Sequence, residues 1–297
     1  MYTLNDDRTI TAFSADNAPV LRVPDGAEIA IRTKDCYSNN LRVENDPRGE
    51  AHGSSAGCNP ATGPIFVEGA LPGDTLKCDI LSIVVDDYAS MRISSRGGLL
   101  ADHVTERTAR CIALKDGQAT LAGVTMTLDP MIGVIGVAPA DEAVDCETPG
   151  AHGGNMDTRF IRAGSTLYLP VACEGALFGV GDVHALMGDG EICICGLECP
   201  AVVTVRLSVI HGRQEKWPML LDRGVWYTLA SAETLDAAAK LSADTMLDFI
   251  EKRVTVDHSE LIMLMSLVCH LQISQVVDPL VTARTALCEG VFGGLTF

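Results

Sequence analysis

Residues 179–191, GVGDVHALMGDGE, hold Asp182, His184, Asp189 and Glu191 on a backbone dense in glycine. Glycine contributes no side chain and costs entropy on folding, so such stretches mark tight turns or backbone pressed close to something else. A second cluster precedes it. AHGGNMDTR at 151–159 gathers His152, Asn155 and Asp157 around the pair Gly153 and Gly154, whose freedom to take positive φ lets both flanks point to one spot. These residue types suit a hydrolytic metal site: two or three His, Asp or Glu ligands around a cation that acidifies water and polarises a carbonyl. A further carboxylate then carries the proton. His184 or His152, with Asp182, Asp157 or Glu191, satisfies that list. An Asx turn between strands is the plainer reading of 151–159 alone, but two such loops separated by a strand pair can meet at one end of a barrel.

A third loop, CNPATGPIFVEGALPGD at 58–74, carries Pro60 and Pro64, which restrict φ. Glu68, between a strand-like run and a glycine, is either a solvated carboxylate or a reserve base facing the same cavity. Cys193, Cys195 and Cys199 tempt a thiolate reading, yet alternate residues of a strand share one face, and a thiol-rich core strand accounts for them. HGSSAG at 52–57 resembles a serine-amidase loop only superficially: glycine does not directly flank the serine pair on both sides, and no partner lysine is evident. No G-x-S-x-G elbow, P-loop or strand-linked G-x-G-x-x-G is present. His270 reads as a core histidine of a buried helix, and His103 and His258 have no supporting neighbours.

The elements that must position these loops are mostly strands. AEIAIRTKD, TLKCDILSIVV, STLYLPVAC, EICICGL and AVVTVRLSVI are β-branched or alternating runs bounded by turn residues. In TVRLSVI, Val205, Leu207 and Val209 share one face, the period of a half-buried strand. EGALPGDTL at 68–76 echoes EGALFGVGD at 174–182, and both read as turns leading into strands. After Trp226 the pattern changes. AETLDAAAKLSADTMLDFIEKRV sets Leu235, Ala238, Ala239, Met246, Phe249 and Ile250 at helical spacing. SELIMLMSLVCHLQISQ follows, apolar nearly all round, as in a helix buried on most sides with Ser259 as its cap. The tail VVDPLVTARTALCEGVF is strand-like. The expectation is a mostly β, sandwich- or barrel-like body over 1–225, carrying the three loops, and a smaller α/β unit with two helices over 226–297.

Composition removes several functions. A formal net charge of −17 over 297 residues disfavours nucleic acid and anionic membrane surfaces, both of which need basic patches. The start MYTLNDDRTI lacks a basic–apolar leader, and the 261–273 run is too short to span a bilayer. Eleven irregularly spaced cysteines read as reduced thiols in a cytoplasmic protein.

Four stretches in order, NPATGPIFVEGALPGDTL, HGGNMDTRFIRAGSTLYLPV, GALFGVGDVHALMGDGE and ISQVVDP, resemble the acetamidase/formamidase family, from about residue 58 to the C-terminus. The resemblance implies a multi-subdomain β hydrolase that cleaves short aliphatic amides to a carboxylate and ammonia. It implies a homo-oligomer and, in some members, a bound divalent metal, with zinc the ion these ligand types favour. On that basis His184, Asp182 and His152 are candidate metal ligands, and Glu68, Asp157 and Glu191 candidate catalytic carboxylates. Gly154, Asn155 and Met187 are candidate substrate contacts. Met187 departs from the family, whose members commonly carry Gln there. The alternative from another class is a binding protein that keeps the fold and holds an amide without turning it over.

Overall fold

The computed structural model describes residues 1–42 and 59–297. The serine loop at 52–57 therefore lies outside the described residues. Two large sheets dominate. The first has nine strands in the spatial order Tyr2–Leu4, Ala27–Thr33, Ala201–Ile210, Thr75–Val85, Thr166–Pro170, Met219–Asp222, Val225–Ala232, Val281–Cys288 and Cys269–Gln275. The second has eleven strands. Its centre runs Thr108–Lys115, Tyr88–Ile93, Glu198–Cys199, Phe178–His184, Met131–Gly136 and Gly153–Asn155, with Ala61–Val67 also paired to Phe178–His184.

The mostly β architecture read from the alternating runs is the observed one. Thr75–Val85 and Ala201–Ile210 pair antiparallel over ten positions, from Ala201 opposite Val85 to Ile210 opposite Thr75. Val203, Val205 and Leu207 are fully buried while their neighbours are half-buried. They join Ile29, Ile31 and Leu76 of the same sheet, and Ile65, Ile135 and Val180 of the other, in one core. Each such side chain contributes about 1.5–3 kcal/mol through the apolar surface it removes from water. This core fixes the positions of the strand ends that carry the polar loops.

Helix α1 (Leu235–Glu251) is capped by Thr234, whose hydroxyl accepts from the Ala237 N–H. Its inner face packs Met246, Phe249 and Ile250 against Trp226 and Leu287 in a second core. The nine-stranded sheet runs across the boundary expected at 225/226: Val225–Ala232 pairs with Met219–Asp222 on one side and Val281–Cys288 on the other.

Four local expectations are corrected, the first being the helix cap at Ser259. The second helix, α2 (His258–Val268), is capped by Asp257, which accepts from the Ser259 and Glu260 N–H groups. It stops at Val268, and Cys269–Gln275 becomes an edge strand carrying His270. Ladder pairing with Val281–Cys288 overrides the local helical pattern there. Nor is this region buried: Met263, Leu267 and Leu271 are 67%, 77% and 60% exposed. Finally, EICICGL forms a turn rather than a strand, with Ile192 and Ile194 in solvent and Ile194 at φ 60°. No helix among the described residues is long and apolar enough to cross a membrane.

Candidate active site

The centre of the second sheet brings the polar loops together. His184 ends the strand Phe178–His184 and is the Cα partner of Glu198 on the short strand beside it. Its other neighbour, Met131–Gly136, pairs with Gly153–Asn155, which leads directly to Asp157. Asp157, Asp182, His184, Glu191 and Glu198 are all buried. The His184 Nε2 lies 3.1 Å from Glu198 Oε2, 3.6 Å from Asp182 Oδ2 and 3.8 Å from Asp157 Oδ1.

The backbone is forced into place here. Asp157, Asp182 and Glu191 have φ of 41°, 51° and 47°, a region that non-glycine residues enter rarely and at a cost that functional sites tolerate. Gly133 makes room from the neighbouring strand. A Cβ there would stand 2.7 Å from Asp182 Oδ2 and collide with Asp157 Oδ1. Gly196 does the same for the imidazole: a Cβ would come 2.7 Å from His184 Nδ1.

Loop anchors hold the arrangement. The Gly196 N–H donates to Glu198 Oε1 at 2.7 Å, and Asn59 Nδ2 donates to Asp182 Oδ2 at 3.2 Å. Arg284, fully buried, donates to Asp189 at 2.7 Å, so Asp189 ties down its loop. The C-terminal segment then docks on this loop, with Gly190 bridged to Gln275 and Thr158 Oγ1 2.8 Å from Ser274 Oγ. That docking carries Asp278 to the site, where Asn155 Nδ2 donates to it at 3.1 Å.

The electrostatics are those of crowded acids around one imidazole. Burial opposes charge on His184, yet Glu198 and Asp182 outweigh it and raise its pKa well above the usual histidine value. Burial, reinforced by neighbouring carboxylates, raises Asp182, Glu191 and Asp278 well above the ordinary carboxylate range. Asp157 is raised by burial against the pull of His184. Glu198 alone is lowered, because His184 offsets its burial.

Both oxygens of Asp157, Oδ1 of Asp182 and Oε2 of Glu198 are buried with no hydrogen-bond partner among the described residues. Buried acceptors without donors are costly. A cation satisfies them. Two groups have donor atoms mutually within 4.8 Å: Asp157, His184 and Glu191, and Cys36, Asp182 and Glu198. Nitrogen and carboxylate donors are ones zinc accepts. The residues therefore fit a divalent metal. Cys36, Asp182, Glu191 and Glu198 border a cavity of about 180 Å³, below the ~300 Å³ at which pockets for drug-sized ligands begin. Tyr37, Ile194 and Val277 supply its apolar wall, and Asn155 and Asp278 its polar one.

The profile of the Acetamidase/Formamidase family matches residues 5–148 and 140–292. The chain belongs to that family. An acetamidase structure from Bacillus halodurans superposes with a TM-score of 0.95 at 38% identity, over 99% of this chain and 100% of that one. A structure described as a predicted acetamidase/formamidase, from Thermoanaerobacter tengcongensis, gives 0.94 at 39% identity over 100% and 99%. The acetamidase of Mycolicibacterium smegmatis is 24% identical over 260 residues, 66% of this chain. The chain spans 64% of that relative's length.

In this member of the family, Asp157, Asp182, His184 and Glu191 converge, and Asn155 lines the cavity that Asp182 and Glu191 border. His152 does not reach that cavity. It packs edge-on against Phe13, with ring centroids 5.4 Å apart, and faces a separate pocket. Burial lowers its pKa to about 4. Glu68 is exposed in the turn after Ala61–Val67, away from the cavity lining. Met187 is buried but does not line the cavity. At Gly154 a Cβ would collide with the Thr148 carbonyl, so its role is to let the backbone pass. The sequence reading missed Cys36, Asn59, Glu198 and Asp278. Asp278 stands in the quoted ISQVVDP stretch, which was a signal for it. Glu198 was hidden behind the cysteines taken for a strand.

Proposed function

We propose that this chain hydrolyses short aliphatic carboxamides to a carboxylate and ammonia, using zinc or another divalent cation held by Asp157, His184 and Glu191. The observation that carries the reading is a small cavity bordered by buried carboxylate oxygens that have no donor. When bound, such a cation supplies Lewis acidity toward the amide carbonyl and acidifies water. Asn155 orients the substrate. Its Nδ2 is committed to Asp278, which leaves a buried, unpartnered Oδ1 to accept from the carboxamide NH₂. A carboxylate ester of the same shape lacks that donor and leaves Oδ1 unsatisfied.

Asp278 is the proton carrier in this reading. It lies on the cavity wall beside Asn155, and burial together with Asp157 raises its pKa well above the usual carboxylate value, which makes its carboxylate the stronger proton acceptor. It accepts the proton of the attacking water and returns it to the departing nitrogen. The wall of Tyr37, Ile194 and Val277 packs the acyl chain and limits its length.

Two further features belong to the proposal. The exposed apolar side chains of α2 and the edge strand Cys269–Gln275 are the face through which chains assemble into a homo-oligomer. The described cysteines are all free thiols, in keeping with a reducing, cytoplasmic setting. Ammonia release from a panel of short linear and cyclic amides, with zinc supplied, tests the activity. Release from acetamide-sized substrates is the expected result, and silence across the panel overturns it.

A further inference from the structure

The proposed cation at Asp157, His184 and Glu191 leaves part of the site unexplained. Asp182 and Glu198 are buried as well, and reach the same His184 Nε2 at 3.6 Å and 3.1 Å. Burying carboxylates without compensation is expensive. Four carboxylates here are buried, and one divalent ion neutralises half of them.

The second group is built to the same pattern as the first. Asp182 gives one oxygen to Asn59 and keeps Oδ1 free, 2% exposed as a residue. Glu198 gives Oε1 to the Gly196 N–H and keeps Oε2 free of hydrogen bonds, directed toward His184. The third donor is the thiol of Cys36, within 4.8 Å of both carboxylates. Its position is fixed from both sides. Asp35 and Asn39 close a turn around it, with Asp35 Oδ1 accepting from the Asn39 N–H at 2.6 Å and Asn39 Oδ1 accepting from the Asp35 N–H at 3.1 Å. The Cys36 carbonyl accepts from the Asn59 N–H at 3.3 Å, so Asn59 joins Cys36 to Asp182.

We infer that Cys36, Asp182 and Glu198 form a second divalent-metal site, so that the cavity holds a two-metal centre. The inference rests on the metal-assisted reading above. A sulfur donor beside two oxygens selects a borderline ion such as zinc over magnesium or calcium, which prefer all-oxygen cages. The thiol gives up its proton to solvent on binding, and no redox change is involved. Paired ions in hydrolytic enzymes hold the attacking and leaving groups of one reaction between them. Here the second ion would border the same cavity as the first, because Asp182, Glu198 and Glu191 all line it.

The test uses the full chain stripped by chelation and reloaded with cobalt(II), then with zinc(II), and counted by elemental analysis after desalting. The expected result is two ions per chain and a near-ultraviolet thiolate-to-cobalt charge-transfer band. Cys36→Ser should lose the band and one ion. Glu191→Gln should lose one ion and keep the band. A single ion in the parent chain, or a cobalt form without the charge-transfer band, overturns the second site and leaves the first standing. Failure of amide hydrolysis shows separately, as absent ammonia, and leaves the ion count and the band unchanged.

Discussion

His184 and Glu198 are Cα partners across two antiparallel strands, and their side chains meet with Nε2 3.1 Å from Oε2. Register alone sets this contact, since neither residue lies on a loop free to move away. Glu198 thereby holds the imidazole toward Asp157 and Asp182, and Gly196, without a Cβ, leaves the space that the ring occupies. Removing the imidazole removes the one nitrogen donor. His184→Ala should lower bound zinc below one ion per chain and cut ammonia release by at least about a hundredfold, the upper range for disturbing a metal site's supporting shell. Elemental analysis beside the rate is the check; full metal with lost activity would move His184 from ligand to proton donor.

Gly133 is the next test. Its missing Cβ is the space that Asp157 and Asp182 occupy from the adjacent strand. Gly133→Ala should force both carboxylates aside, at a cost of about 1–3 kcal/mol for overpacking a close-packed site. Metal affinity should fall with it, because the displaced atoms are ligands. A variant with parental melting temperature and metal content would show that the carboxylates have other room.

Asp278 and Asn155 separate binding from turnover. Asp278→Asn keeps shape but cannot take a proton, so kcat should fall by about 10²–10⁴ while bound zinc is unchanged. Asn155→Ala should act mainly on KM, since it removes an acceptor that meets the substrate's NH₂ before and during reaction. Equal losses in kcat and KM for both variants would argue that the pair is a structural strut.

Most of this arrangement was legible in the sequence, and the gaps have physical causes. Asp157, Asp182, His184 and Glu191 stood out because acids and an imidazole on glycine-rich backbone need a reason. His152 shared that signature, but successive residues of an extended segment point to opposite faces, and His152, three residues before Asn155, faces a different pocket from the cavity that Asn155 lines. Glu68 followed a strand as expected, yet at its exposed end. Cys36 and Glu198 lie far apart in sequence, and only the pairing of Glu198 with Ser90 and His184 brings that carboxylate inward. Helix α2 was legible as apolar but not as exposed, because burial depends on what covers a face.

The metal-free protein should lose stability as pH rises. His184, Asp182, Glu191, Asp278 and Asp157 all have raised folded-state pKa values. A raised pKa means that the native chain binds more protons than the unfolded one, so the contribution is complete below the unfolded pKa and lost as pH climbs through the folded one. For the carboxyl groups the loss begins above pH ~4, and for His184 above pH ~6.5. Glu198 runs the other way, and so does His152, which is depressed to about 4; five groups outweigh two. The melting temperature of chelated protein should therefore fall between about pH 5 and pH 8, and added zinc should reverse the trend by displacing those protons. A chelated protein whose melting temperature rises across that interval would contradict the electrostatic picture.

The exposed apolar face closes the set. Met263 and Leu267 on α2 and Leu271 on the edge strand are more than half exposed, and Ile262 is 48% exposed beside them. Contiguous apolar surface of this kind marks an interface, and an unpaired edge strand beside it invites pairing with a second copy. A charge at the centre of the face should break assembly without touching either core, since Leu267 and Leu271 belong to neither. Leu267→Glu with Leu271→Lys should shift the mass by light scattering from oligomer to monomer at micromolar concentration. Because Gln275 ends the edge strand and Asp278 lies three residues beyond it, the monomer should also show a raised KM. An unchanged mass would place the interface elsewhere, and a monomeric parent chain would remove the oligomer from the proposal.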